Sequence, residues 1–110
     1  MKEKELLWRG SSYKDLLSFP DEPRRDAGYQ LGFVQLGFEP SDWKPMSSIG
    51  QGVKEIRIHI EGEFRVIYIA KYKEGIYILH AFQKKTQKTP KRDIDIAKTR
   101  FRELERERKI

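Results

Sequence analysis

No cysteine occurs in this chain, histidine appears only at His59 and His80, and no apolar run approaches the length of a membrane span. The first absence excludes disulfides and thiolate metal sites, and gives no sign of an oxidising compartment. The second leaves too few ligands for a dedicated transition-metal site, since neither histidine has paired carboxylates around it. The third argues against a spanning helix, and Met1 to Glu5 alternate charges without the apolar core of a signal peptide. The expectation is a cytoplasmic protein with no membrane partner, no metal and no cofactor.

Positive charge is in excess. Lysine and arginine number 23 against 17 acidic residues, for a formal charge of +6. Such an imbalance speaks of polyanionic partners rather than of fold. A length of 110 residues predicts a single domain, 1–110, with room for one sheet and a few helices.

Periodicity orders the elements. Leu6, Leu7 and Trp8 read as a short strand that Gly10, Ser11 and Ser12 break. Ser12 and Asp15 have capping-box spacing and open a short helix through Leu16, Leu17 and Phe19. Pro20 ends it, and Asp21, Glu22 and Pro23 begin another, with Pro23 tolerated in the first turn. Ala27, Leu31, Val34 and Phe38 follow at helical spacing, flanked by Tyr29, Phe33 and Leu36, an apolar arc wide enough for a core or for a partner. From Gly37 to Gly52 the prolines, glycines and paired serines read as an irregular loop anchored by Trp43. Ile56, Ile58 and Ile60 then alternate with Glu55, Arg57 and His59, and Phe64, Val66 and Tyr68 alternate with Arg65, Ile67 and Ile69. Tyr77 to Phe82 read as a buried strand. Ile94, Ala97, Phe101 and Leu104 form one stripe of a final helix whose other face is charged. The order is strand, helix, helix, three antiparallel strands, helix, an α+β class.

Two cationic features stand out. A three-residue loop at Glu61 to Glu63 pairs Ile60 with Phe64, Ile58 with Val66 and His59 with Arg65, which puts Arg57, His59 and Arg65 on one face. Arg65 lies between apolar neighbours and needs a partner, which Glu55 or an incoming phosphate would supply. Beyond Phe82 the chain places Lys84, Lys85, Lys88 and Lys91 among Thr86, Gln87, Thr89 and Pro90. Lysines in an irregular loop beside a sheet suit phosphate, with threonine and glutamine as neutral donors.

Several blocks of sequence carry a family resemblance. Trp43-Lys44-Pro45-Met46, Ile49-Gly50-Gln51-Gly52-Val53, Glu55-Ile56-Arg57, Phe64-Arg65-Val66-Ile67-Tyr68 and Leu79-His80-Ala81-Phe82-Gln83-Lys84-Lys85-Thr86-Gln87-Lys88-Thr89 resemble phage-derived HigB-type toxins of the RelE/ParE superfamily. The resemblance spans roughly residues 4 to 104. It implies a RelE-like α+β fold, an antiparallel sheet with two N-terminal helices and a C-terminal helix. It also implies a type II toxin that cuts mRNA in the ribosomal A site and is neutralised by a helix-turn-helix antitoxin. Some relatives place a tyrosine near the C-terminal end to stack on a base, whereas no tyrosine follows Tyr77 here.

Cleavage of RNA by its own 2'-OH needs that hydroxyl activated, charge on the phosphate stabilised and the leaving oxygen protonated. Arg57, Arg65, His80, Lys84 and Lys85 are the expected catalytic residues of such a metal-independent endoribonuclease. Lys54, His59, Phe82, Lys88 and Lys91 are expected on the RNA, with Phe82 as the stacking surface. Two alternatives share the sequence pattern: a ParE-type inhibitor of gyrase, and a basic module that binds RNA or a partner without cleaving.

Overall fold

The computed structural model describes residues 3–109. Chain order is β1 (Leu6–Trp8), α1 (Ser12–Leu17), α2 (Asp21–Gln35), β2 (Trp43–Pro45), β3 (Val53–Ile58), β4 (Glu63–Ile69), β5 (Ile76–Lys84) and α3 (Lys91–Arg108). The five strands form one sheet in the order β1-β5-β4-β3-β2. Only β1 runs parallel to its neighbour, β5, so the sheet is mixed. The class is the expected α+β, consistent with a RelE-like fold. No helix among the described residues is long and apolar enough to cross a membrane.

Alternation in β3 and β4 gives the sheet two apolar faces. On one, Leu16 and Phe19 of the α1 segment and Ala27, Leu31 and Val34 of α2 pack on Ile56, Ile58, Phe64, Val66, Tyr68, Ile76 and Ile78. On the other, Ala97, Phe101 and Leu104 of α3 pack on Val53, Ile67, Ile69 and Leu79, with Met46 and Ile49 closing the edge. Each large side chain so buried contributes about 1.5–3 kcal/mol. The stripe foreseen in α3 is the one that docks.

Four local expectations are corrected. Ser12 does not cap α1: Ser11 holds the N-cap position, and the Ser12 hydroxyl instead donates to the Ile78 carbonyl at 3.0 Å. The α2 helix ends at Gln35, which leaves Phe38 outside it and 61 % exposed. Trp43–Pro45 is an edge strand paired with β3, where proline's missing donor costs nothing because the outer side of an edge has no ladder. Finally, Arg57 pairs with Arg65 and Ile58 with Phe64, two residues from the expected pairing of His59 with Arg65. Glu61 and Gly62 both take positive φ in a wider turn, so the ladder stops at Ile58. A shift of two leaves every side chain on its expected face.

Candidate active site

The polar residues gather on the α3 face, at the end of the sheet where α3 begins. Val53, Glu55 and Arg57 of β3 share that face, and Arg65 opposes Arg57 across the ladder. In β5 the phase changes. Tyr68 pairs with Ile78 but Ile67 pairs with His80, so Leu79 is an extra residue, a β-bulge. Beyond it His80, Phe82 and Lys84 point to the α3 face, opposite Ile67, Arg65 and Glu63. Lys44 of β2 opposes Glu55 and joins them.

At the centre is a buried pair. Arg65 is 4 % exposed and Glu55 1 %. The Arg65 guanidinium donates to the Phe64 carbonyl at 2.9 Å and to Glu63 Oε1 at 3.0 Å, while its Nε lies 3.8 Å from Glu55 Oε1, beyond hydrogen-bond range. Glu55 Oε2 and Arg65 Nε are both buried without a partner. Burial pushes the Glu55 carboxyl above the usual carboxylate range, against the opposing pull of Lys44, Arg65, Lys84 and Arg57. Such a carboxylate sits closer to neutral pH than an exposed one, which is what a proton acceptor needs.

A chain of charge runs along the rim. Arg57 Nε donates to Asp42 Oδ1 at 3.0 Å, and His59 bridges Asp42 through Nε2 at 2.6 Å and Glu63 through Nδ1 at 2.7 Å. With a carboxylate on each ring nitrogen, only the doubly protonated imidazole can donate to both, and His59 is accordingly held above its ordinary pKa. Asp42 and Glu63 are pulled down, chiefly by their hydrogen bonds to His59.

The lysines are differently placed. Lys84 lies between two clefts that also share Gln87: one of about 440 Å³ with Lys44, Ser47, Ser48, Lys88 and Thr89, and one of about 630 Å³ with Arg65, Lys85 and Thr86. Lys84, Lys85 and Lys88 form no ion pair with any described residue. Lys91, the first residue of α3, pairs with Asp95 and lines a separate cleft of about 890 Å³ beside Trp8 and Arg92.

The fold therefore brings together Arg57, His59, Arg65, Lys84, Lys85 and Lys88. It does not bring Lys54, which stands on the α2 face, bonded to Glu39 at 3.0 Å and lying over the Trp43 ring. Lys91 is likewise outside the group. His80 and Phe82 are on the right face but buried: the imidazole shares a 2.7 Å hydrogen bond with Asp93 of α3 and stacks on Phe82. Burial lowers the His80 pKa, against the opposing pull of Asp93. Among the described residues no three acids or histidines gather as a metal site would require.

Two members escaped the sequence reading. Glu55 was visible only as a partner for Arg65, although the alternation of Val53, Glu55 and Arg57 already put an acid on the arginine face. Lys44 is hidden because Pro45 beside it and Ser41, Ser47 and Ser48 around β2 make the segment read as loop.

No curated protein matches the chain. The profile of one family does, over residues 14–102, so that the chain belongs to the Gp49-like phage-derived proteins (DUF891), a toxin-like family of the RelE and HigB type whose members imply a cognate antitoxin.

Proposed function

We propose that this protein is the toxin of a type II toxin-antitoxin pair and acts as an endoribonuclease on mRNA in the ribosomal A site. The observation that carries the reading is the buried Glu55–Arg65 pair with its unused oxygen and nitrogen, overhung by lysines that have no mates. In the proposed reaction Glu55 takes the proton of the 2'-OH, whose oxygen attacks the adjacent phosphorus. The bond to the 5' oxygen of the next nucleotide breaks, giving a 2',3'-cyclic phosphate, and that oxygen takes a proton from water to become a 5'-OH while Glu55 returns its proton to solvent. Glu55 is covered in the free protein, so bound RNA must open the rim to reach it, as catalytic contacts often tighten only on binding. Arg65 and Lys84 meet the charge that grows on the phosphoryl oxygens. Arg57 and Lys85 extend that field, Lys88 holds the neighbouring backbone, and His80 and Phe82 buttress the floor.

A helix-turn-helix antitoxin is the proposed partner. Exposed apolar side chains around α2, Tyr29 at 66 % and Phe38 at 61 %, support a protein partner for this chain. The test combines purified protein, translating ribosomes and end-group analysis of the mRNA. Cyclic or hydrolysed 2',3'-phosphate ends, formed also in chelator with assembled ribosomes, are expected. A 5'-phosphate with a free 3'-OH would mean that water was the nucleophile, and inhibition of gyrase supercoiling without RNA cleavage would replace the reading with the ParE type.

A further inference from the structure

The bulge at Leu79 decides which residues of β5 face the site. Ile76 and Ile78 lie on the α1/α2 face. An unbroken strand would carry the even-numbered residues His80, Phe82 and Lys84 to that same face, and would offer Ala81, Gln83 and Lys85 to Glu55 and Arg65 instead. One extra residue reverses this.

A bulge leaves backbone groups outside the ladder, and α3 takes up both bulge residues. Arg100 Nη1 donates to the Leu79 carbonyl at 2.9 Å, and Asp93, seven residues earlier on the same side of the helix, bonds the His80 ring at 2.7 Å. Arg100 Nη2 continues to Ser11 Oγ at 3.1 Å, in the turn between β1 and α1. Gly10 lets the chain pass over this guanidinium: it has φ of +54°, and a Cβ there would stand 2.5 Å from Arg100 Nε. The arginine is thus held on two sides while it grips the bulge, far from Glu55 in the sheet order.

We propose that Arg100 is a positioning residue: by holding the Leu79 carbonyl from α3 it keeps the β-bulge in β5, and through the bulge it sets Lys84 rather than Gln83 opposite Glu63, on the face of Arg65 and Glu55. The consequence for cleavage rests on the nuclease reading, whereas the consequence for strand phase does not.

Because the chain has no cysteine, the phase can be read by disulfide trapping. Glu63 opposes Lys84 with the bulge in place. Without it, and with Ile78 still opposite Tyr68, Glu63 would oppose Gln83. Glu63→Cys is combined with Lys84→Cys or with Gln83→Cys, each in the parent and with Arg100→Met, which keeps the stem but not the donors. The 63–84 bridge should dominate in the parent, and the ratio of 63–84 to 63–83 bridges should fall about tenfold or more with Arg100→Met, the change that roughly 1.4 kcal/mol sets. Arg100→Lys, which keeps one cationic donor nitrogen, should restore most of it. Should Arg100→Met prevent folding, Arg100→Lys and Arg100→Gln, graded in donor strength, give the same ratio to read. An unchanged ratio in the folded donor-weakened variants overturns the proposal. If the parent shows no RNA cleavage while the ratio still shifts, the nuclease reading fails and the positioning role stands. If cleavage is present and tracks the ratio through Met, Gln and Lys variants carrying the native Glu63, Gln83 and Lys84, both stand.

Discussion

The two faces of the sheet do different work. Under α1 and α2 the strands present Ile56, Ile58, Phe64 and Val66 to an apolar layer, in which the Tyr68 hydroxyl is buried without a partner. Under α3 the same strands begin apolar, with Val53, Ile67 and Ile69, and end in Glu55, Arg57 and Arg65. Burying that pair costs desolvation that its 3.8 Å separation does not fully return. One face is built for stability; the other gives up part of it where lysines without partners surround a covered carboxylate. The sheet's two arginines on this face are held by mates, Arg57 by Asp42 and Arg65 by Glu63, and make the floor. Lys84 at the end of β5, with Lys85 and Lys88 beyond it, has no ion-pair partner among the described residues and is free to meet a phosphate.

If this division is right, substitutions on the two faces should separate stability from activity. The largest effect is expected at Phe64→Ala, which empties a fully buried site packed on Phe19: a loss of about 3–5 kcal/mol in denaturant unfolding. Cleavage per folded molecule should be unchanged.

Next in size is Lys84→Ala. Ribosome-dependent cleavage should drop by about 10²–10³, or roughly 2.7–4 kcal/mol of barrier, with unfolding altered by no more than about 0.5 kcal/mol. Comparable losses of stability and cleavage would erase the contrast between the faces.

A smaller change in stability is expected when the buried pair is replaced as a unit. Arg65→Met alone leaves Glu55 buried without its ion-pair partner and should destabilise, whereas Glu55→Leu with Arg65→Met should be close to neutral or stabilising. Cleavage should be lost in both. A double variant less stable than either single one would mean that the pair serves the fold rather than the chemistry.

The smallest effect belongs to the rim. The folded pKa of His59 lies above its unfolded value of 6.5, so its contribution to stability is complete below pH 6.5 and is lost as pH rises through the folded pKa. Asp42 and Glu63 lie below their unfolded values of 3.8 and 4.5, so theirs is present above those values and is lost as pH falls. All three are partly exposed, so the change amounts to a few tenths of a kcal/mol. It should appear as a melting temperature that declines as pH rises above about 6.5 in the parent and is flatter in His59→Asn.

Legibility followed the range of the forces involved. Leu31, Val34, Ala97, Phe101 and Leu104 were readable because a helix repeats its buried face locally. Arg57 and Arg65 were readable as neighbours on one face although the pairing was off by two, because side-chain direction has a period of two. Trp43–Pro45 was not, since a three-residue edge strand exists only through its ladder with β3. Lys54 and Lys91 show the same limit from the other side: as charges in sequence they resembled Lys84 and Lys88, and only their surroundings set them apart.

The amino-acid order by itself determined the α+β class, the faces of β3, β4 and α3, the absence of thiol chemistry and the excess of cations near Lys84, all of which follow from local geometry and composition. The tertiary structure alone decided that Leu79 bulges, that Lys84 therefore joins Arg65, and that Glu55 lies covered beneath them. A strand's phase after a bulge depends on groups distant in sequence, here Arg100 and Asp93, and a carboxylate's pKa depends on how completely its neighbours exclude water.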